Sequence, residues 1–345
     1  MSETRPIQKI FDRVIAERLK ASEDKASDLA ELHKRLREEA LPKVLRIVLD
    51  RFNKEAPEIL NEYKESEASF VEENYERWSE GFDLIEIYLN ISHQIGESIN
   101  TEFRPSAIEN DNFIFEATIA LHARALLVSR EIFWLLRGGF ADGALGRWRT
   151  LHEISVVVIL LSENDPDISR RYLLHRQIQS YKAMLTYAKY QKEANLTPLQ
   201  DGDLSRAKKA YDEILNQHGE EMRHDWGWAA PALKCKKPTF RQIEEHVGMD
   251  DWRPRYRWSS QDTHAGYRPI EATLGNSESQ QPSLLTGPSD SGLADPAQMM
   301  IASLYTVSDI LVRLAPNIDR GIYIIVLEMI RDKTIAAFFD VIEEG

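Results

Sequence analysis

The sequence predicts an all-α protein: a helical bundle core with an N-terminal helical arm. Three observations predict it. Nearly every long segment sets charged faces against apolar positions three and four residues apart, no run alternates with period two, and helix stops such as Gly138–Gly139 and Asn164–Asp165–Pro166 fall between the segments. With 345 residues the chain can hold one large domain or two smaller ones around a substantial core.

Residues 5–50 are dense in Glu, Lys, Arg, Leu and Ala and are broken at Pro42, and a further helix or pair spans about 53–103, with Pro57 near its start and Gly81 inside. Residues 1–103 are therefore expected to form an acidic helical arm, packed on the core or on a second copy and carrying no site. Residues 104–345 are expected to form the core domain. Within it, 107–136 is apolar on several faces (Phe113, Phe115, Ile119, Leu126, Ile132, Phe133, Trp134), which marks a helix enclosed on most sides, and Gly138 and Gly139 close it. A second helix starts near Ala141 and runs through ISVVVILL, which also reads as a buried strand; its helical flanks favour helix. Helices follow at about 167–195 and 201–222, parted by NLTPLQDGD. Residues 223–275 are shorter and more irregular, 275–293 reads as a loop or small hairpin, and helices at about 295–315 and 320–343 close the chain.

Composition excludes several classes. The single cysteine, Cys235, rules out an internal disulfide framework and a cysteine zinc site and suits a reducing compartment. MSETRPIQKIFDR has no apolar signal region, and the longest apolar runs, such as VVVILL at 156–161, are too short to span a bilayer, so a cytoplasmic chain with no membrane contact is expected. The net charge of -13 sits at the ends: residues 1–103 carry a net -8, residues 268–345 a net -6, and the middle a net +1. A sequence-blind coat of nucleic acid is thereby disfavoured, while a local site for one phosphodiester remains open in the middle section.

Two segments there place an arginine shortly before a histidine. In GRWRTLHE, Arg149, His152 and Glu153 stand at i, i+3 and i+4 and share a helical face, whereas Arg147 lies about 140° from His152. In RWSSQDTH, Arg257, Ser260 and His264 stand at i, i+3 and i+7, within about 20° of one stripe if the segment is helical, between Pro254 and Gly266. An arginine can hold a phosphate and a histidine can move a proton near neutral pH, which suffices to cleave RNA without a metal. The plainer reading of the first segment is a buried polar cluster in which Glu153 pairs with Arg149 and orients His152; of the second, a capping role for Ser260 and His264. Trp226, Trp228, Trp252 and Trp258 lie nearby and can stack on bases or serve as core. Lys236 and Lys237, in the basic run LKCKKPTFR, can steer a phosphate or belong to a solvated loop. Metal chemistry is not expected: His218 and His224, with Glu220 and Glu221 between them, lack the i, i+4 histidine pair of zinc helices. No phosphate-cradling loop is present either, since GGFADG has no strand before it. No cofactor is expected.

The stretches LLRGGFADGALGRWRTLHE, YLLHRQIQSY, DWGWA, YRWSSQDTHA and LLTGPSDSGLADP resemble an uncharacterised bacterial and archaeal family of unknown function, over roughly residues 107–315. More distantly, the helical content and the Arg, four to six residues, His spacing resemble the HEPN superfamily, though Trp148 and Trp258 stand where a polar residue often follows the arginine there. That second resemblance implies a metal-independent endoribonuclease of toxin–antitoxin or phage-defence type, a homodimer with RNA as substrate and a protein partner or antitoxin. It implies His264 or His152 as general acid or base, Arg257, Arg147 or Arg149 stabilising the phosphorane, and Ser260 and Glu153 orienting the imidazoles. The alternative is a non-catalytic helical module that binds a nucleotide or a protein, as an adaptor or defence component.

Overall fold

The computed structural model describes residues 41–264, 269, 272–280 and 283–344. The helix expected over residues 5–40 and the helix-closing role of Gly266 lie outside them. Among the described residues there are eleven α-helices, several 3₁₀ turns and no strand, so the fold is all-α.

The chain divides into two units, Met1–Glu73 and Asn74–Gly345. In the first, the described residues belong to one helix, α1 (Leu41–Arg77), which passes through Pro57 without ending. Leu45, Leu49, Leu60 and Tyr63 on it are exposed. Pro42 is the second described residue of this helix, so the break expected there depends on residues outside the described ones.

The second unit begins earlier than the expected boundary at residue 103. Asn74 donates to the carbonyls of Leu136 and Arg137 at 3.1 and 2.9 Å, Trp78 stacks on Phe338 with ring centroids 5.3 Å apart, and α2 (Ser79–Glu109) buries Phe82, Ile85, Tyr88, Leu89, Ile95 and Ile99. The latter half of the expected arm is thus core. Its composition hides this, since one apolar stripe among many charges reads the same whether its neighbour is water or another helix.

α2 packs with α3 (Phe113–Arg137), α10 (Ala294–Leu314) and α11 (Ile318–Glu344), and α4 (Ala141–Ser162) completes the bundle against α3 and α10. Asn112 caps α3 by accepting from Phe115 N–H at 3.1 Å. α4 is the most enclosed, burying Ala144, Leu145, Trp148, Leu151, His152 and the run from Ile154 to Val158. Its ISVVVILL segment is helical, as expected. Trp148 fixes α4 to α10 by donating from Nε1 to the Met299 carbonyl and Ser303 Oγ, both at 3.0 Å. α5 (Pro166–Tyr190), capped by Asp165, pairs with α6 (Asp203–His218) and leans on α3. The short helices α7 (Ala230–Leu233), α8 (Phe240–His246) and α9 (Arg253–Thr263) follow, with α8 and α9 lying against α4. No described helix is long and apolar enough to cross a membrane.

Candidate functional site

α4, α8 and α9 bring parts of both arginine–histidine segments together, but not the parts that spacing pairs. His152 on α4 and Glu244 on α8 are both fully buried, and the imidazole Nε2 donates to Glu244 Oε1 at 2.9 Å. The other carboxylate oxygen accepts from Arg253 at the start of α9. Four aromatic rings enclose the imidazole: Trp148, Tyr256, Phe240 and Trp252, with centroids 5.1, 5.6, 6.0 and 6.2 Å away. His152 Nδ1 is buried and has no hydrogen-bond partner among the described residues. This imidazole is closed to a substrate.

The arginines ahead of it point elsewhere. Arg147 donates to Glu131 and, at 3.1 Å, to Thr150 Oγ1. Arg149 pairs with Glu153 at 3.5 Å and lies over the Tyr256 ring at 4.6 Å. Glu153 accepts from Tyr256 Oη at 2.5 Å. Burial, then the Glu153 carboxylate, pushes the Tyr256 phenol far above its ordinary range, so it serves as a donor throughout the physiological range. Glu153 therefore orients Tyr256 rather than His152.

The second segment does not close into a stripe. α9 ends at Thr263, and His264 leaves it with extended backbone (φ -116°, ψ 144°), which removes it from the helical face shared by Arg257 and Ser260. Ser260 donates back to the Tyr256 carbonyl at 2.8 Å, while Arg257 and His264 are both exposed.

The open feature lies next door. A cavity of about 360 Å³ is lined by Lys182, Arg223, Asp225, Trp226, Lys237 and Phe240, with His224, Pro238 and Thr239 completing it. Its aromatic side is Trp226 against Phe240 (centroids 5.3 Å apart), and Phe240 meets His152 edge-on, so one ring separates cavity from buried cluster. Lys182 pairs with Asp225 at 3.1 Å, Arg223 pairs with Glu220, and Lys237 is exposed at the rim. Of the aromatic and basic candidates, Trp226 and Lys237 line this cavity. Trp228 is buried against Tyr172 at 5.0 Å, Trp258 packs half-buried on the core, and Lys236 is exposed outside the cavity.

Local sequence builds this wall. Thr239 and Gln242 form a reciprocal capping box that starts α8 and fixes Phe240 and Glu244 one turn apart. Residues 219–229 fold back in two 3₁₀ turns, so tightly that a Cβ on Gly227 would sit 1.8 Å from the Glu221 carbonyl oxygen. Arg171 on α5, itself buried, holds the turns by donating to the carbonyls of His218 at 2.7 Å and Trp228 at 3.2 Å and to Glu221 at 2.9 Å. His175 adds a bond to the His224 carbonyl at 2.9 Å. Sequence reasoning missed Arg171, Glu244, Arg253, Tyr256 and Phe240. The nearest signal was RPRYRW, whose density of arginine and aromatics exceeds what a solvated helix needs. No group of three or more His, Cys, Asp or Glu able to hold a metal occurs among the described residues.

Residues 115–282 match the model of a family of unknown function (DUF5677), a span that contains the buried cluster and the cavity. No curated protein and no solved structure matches the chain.

Proposed function

We propose that this protein is a non-catalytic helical binding module that takes a phosphate-bearing ligand of nucleotide size in the cavity between α5, the 223–226 turn and α8. The observation that carries this reading is the pairing of an aromatic wall, Trp226 on Phe240, with cations from three separate elements, Lys182, Arg223 and Lys237, around one open volume. A base or other planar group stacks on an aromatic face, and lysine and arginine neutralise phosphate oxygens beside it. Catalysis gains no support here, because the enclosed imidazole of His152 faces Glu244 and four rings rather than the cavity.

The test is titration of the full chain with nucleoside mono-, di- and triphosphates and with a short RNA, read by tryptophan fluorescence and calorimetry. Saturable binding is expected. Trp226→Ala weakens it about tenfold, in line with roughly 1–3 kcal/mol per stacked base, and Lys237→Glu weakens it further at low salt. Absence of binding across these ligands would refute the reading.

A second reading, the metal-independent endoribonuclease of toxin or phage-defence type with RNA as substrate, is favoured by one observation: Arg257 and His264 are both exposed at the end of α9. Incubation with RNA, with and without chelator, separates the two. Chelator-resistant cleavage lost in His264→Ala selects the nuclease. RNA left intact beside tight nucleotide binding selects the binding module.

A further inference from the structure

The carboxy-terminal helix α11 is apolar on two sides. Its inner side buries Leu327, Ala337 and Phe338 against the bundle, as a closing helix must. Its outer side carries Ile318, Ile322, Ile325 and Met329, which are 84%, 54%, 58% and 56% exposed. A helix that shows only one apolar stripe is satisfied by its own core; two stripes call for a second neighbour. The outer residues are spaced four, three and four, the heptad pattern of a seam that receives the knobs of another helix. A flat or strand-like partner has no use for that spacing.

We infer that this seam is occupied by α11 of a second copy of the chain, antiparallel and related by a two-fold axis. The charge pattern selects that occupant. With Ile322 set opposite Ile325 of the second copy, Ile318 comes opposite Met329, so all four layers are apolar and the contact is the same in both directions. In this register Glu328 falls beside Gly321 of the other helix and Asp319 beside Val326, so no like charges meet. Asp332, one turn beyond Met329, comes level with the amino-terminal end of the other α11, whose dipole favours a negative charge. A parallel pairing would instead set Asp332 against its own copy inside the seam. Gly321 leaves room on one flank for the helices to approach. This surface lies on other elements than the ligand cavity, and the inference is independent of the binding reading.

The experiment is light scattering on the full chain after size exclusion, at micromolar concentrations. A dimer is expected for the native protein. Ile318→Asp, at a position with almost no packing of its own, and Ile322→Glu with Ile325→Glu are each expected to give a monomer with unchanged helicity by circular dichroism. Orientation is read in a Cys235→Ser background: oxidised Ile322→Cys with Ile325→Cys cross-links two chains, whereas Ile322→Cys alone does not. A native monomer throughout the range overturns the inference, as does a dimer that survives Ile318→Asp. Cross-linking by the single cysteine would overturn the antiparallel arrangement.

Discussion

Glu244 joins two helices through one carboxylate, accepting from His152 on one oxygen and from Arg253 on the other while fully buried. Removing Glu244 strands the His152 imidazole away from water, while Arg253, whose side chain is 31% exposed, can turn to solvent, so the cost is about 1–3 kcal/mol. Glu244→Ala is expected to lose that much in urea unfolding, and Glu244→Gln, which still accepts from His152, clearly less; equal losses would show that the arginine contributes all of it. A second buried imidazole makes a pH prediction. Burial, with a smaller contribution from His93, lowers His122 to about 4 from the ordinary 6.5. The unfolded chain therefore takes up this proton first as pH falls, so the contribution to stability is complete above about pH 6.5 and disappears as pH drops toward 4. Up to about 3 kcal/mol is at stake. The fall in melting temperature between pH 7 and pH 4 should be smaller in His122→Gln than in the native chain; an equal fall would locate the acid sensitivity elsewhere. Neither role was legible in the sequence, because an isolated histidine on an apolar face gives no sign of which distant helix supplies its partner.

At the level of elements, α2 and α3 pass close enough that Gly96 faces the His122 ring: a Cβ there would stand 2.6 Å from Cε1. Gly96→Ala is expected to cost about 1–3 kcal/mol through overpacking, measured by chemical denaturation, and an unchanged midpoint would mean that the ring rotates away freely. Helix positions were readable wherever punctuation was strong. The stops at Gly138–Gly139 and Asn164–Asp165–Pro166 match the observed ends of α3 and α4, and the two closing helices fall within a few residues of their expected limits. Where α9 ends was not readable. RWSSQDTHAG contains no breaker before Gly266, and the departure at His264 separates an imidazole from its arginine that helical arithmetic would align. The first segment fared differently: its arithmetic separated Arg147 from His152, and the structure sends Arg147 to Glu131. The pairing of Arg149 with Glu153 was legible as an i, i+4 contact, whereas the turn of Glu153 toward Tyr256 depends on α9, about a hundred residues away.

For the molecule as a whole, the chain carries a net charge of -13, while the cavity lining sets Lys182, Arg223 and Lys237 against one acid, Asp225. The field far from the surface repels polyanions, while Lys182, Arg223 and Lys237 act within a Debye length of about 8 Å. A mononucleotide is accordingly expected to bind as well as a long RNA does, with affinity that declines only modestly between low and physiological salt. A steep salt slope of several phosphate contacts, measured by fluorescence anisotropy, would contradict a single small site. The charge asymmetry along the chain was visible from composition; the convergence of three cations on one aromatic pair was not, since they lie up to 55 residues apart. The segment after α9 carries one more implication. Asp142, at the first turn of α4, accepts from the backbone of Leu274 and Gly275, and Ser289 binds Gly139 and Gly275, so both sides of that excursion are fastened to the same helix end. Leu284, between them, is 78% exposed. A protease that cuts beside Leu284 should therefore yield two fragments that migrate together until denatured, and separately expressed halves divided at that point should reassemble.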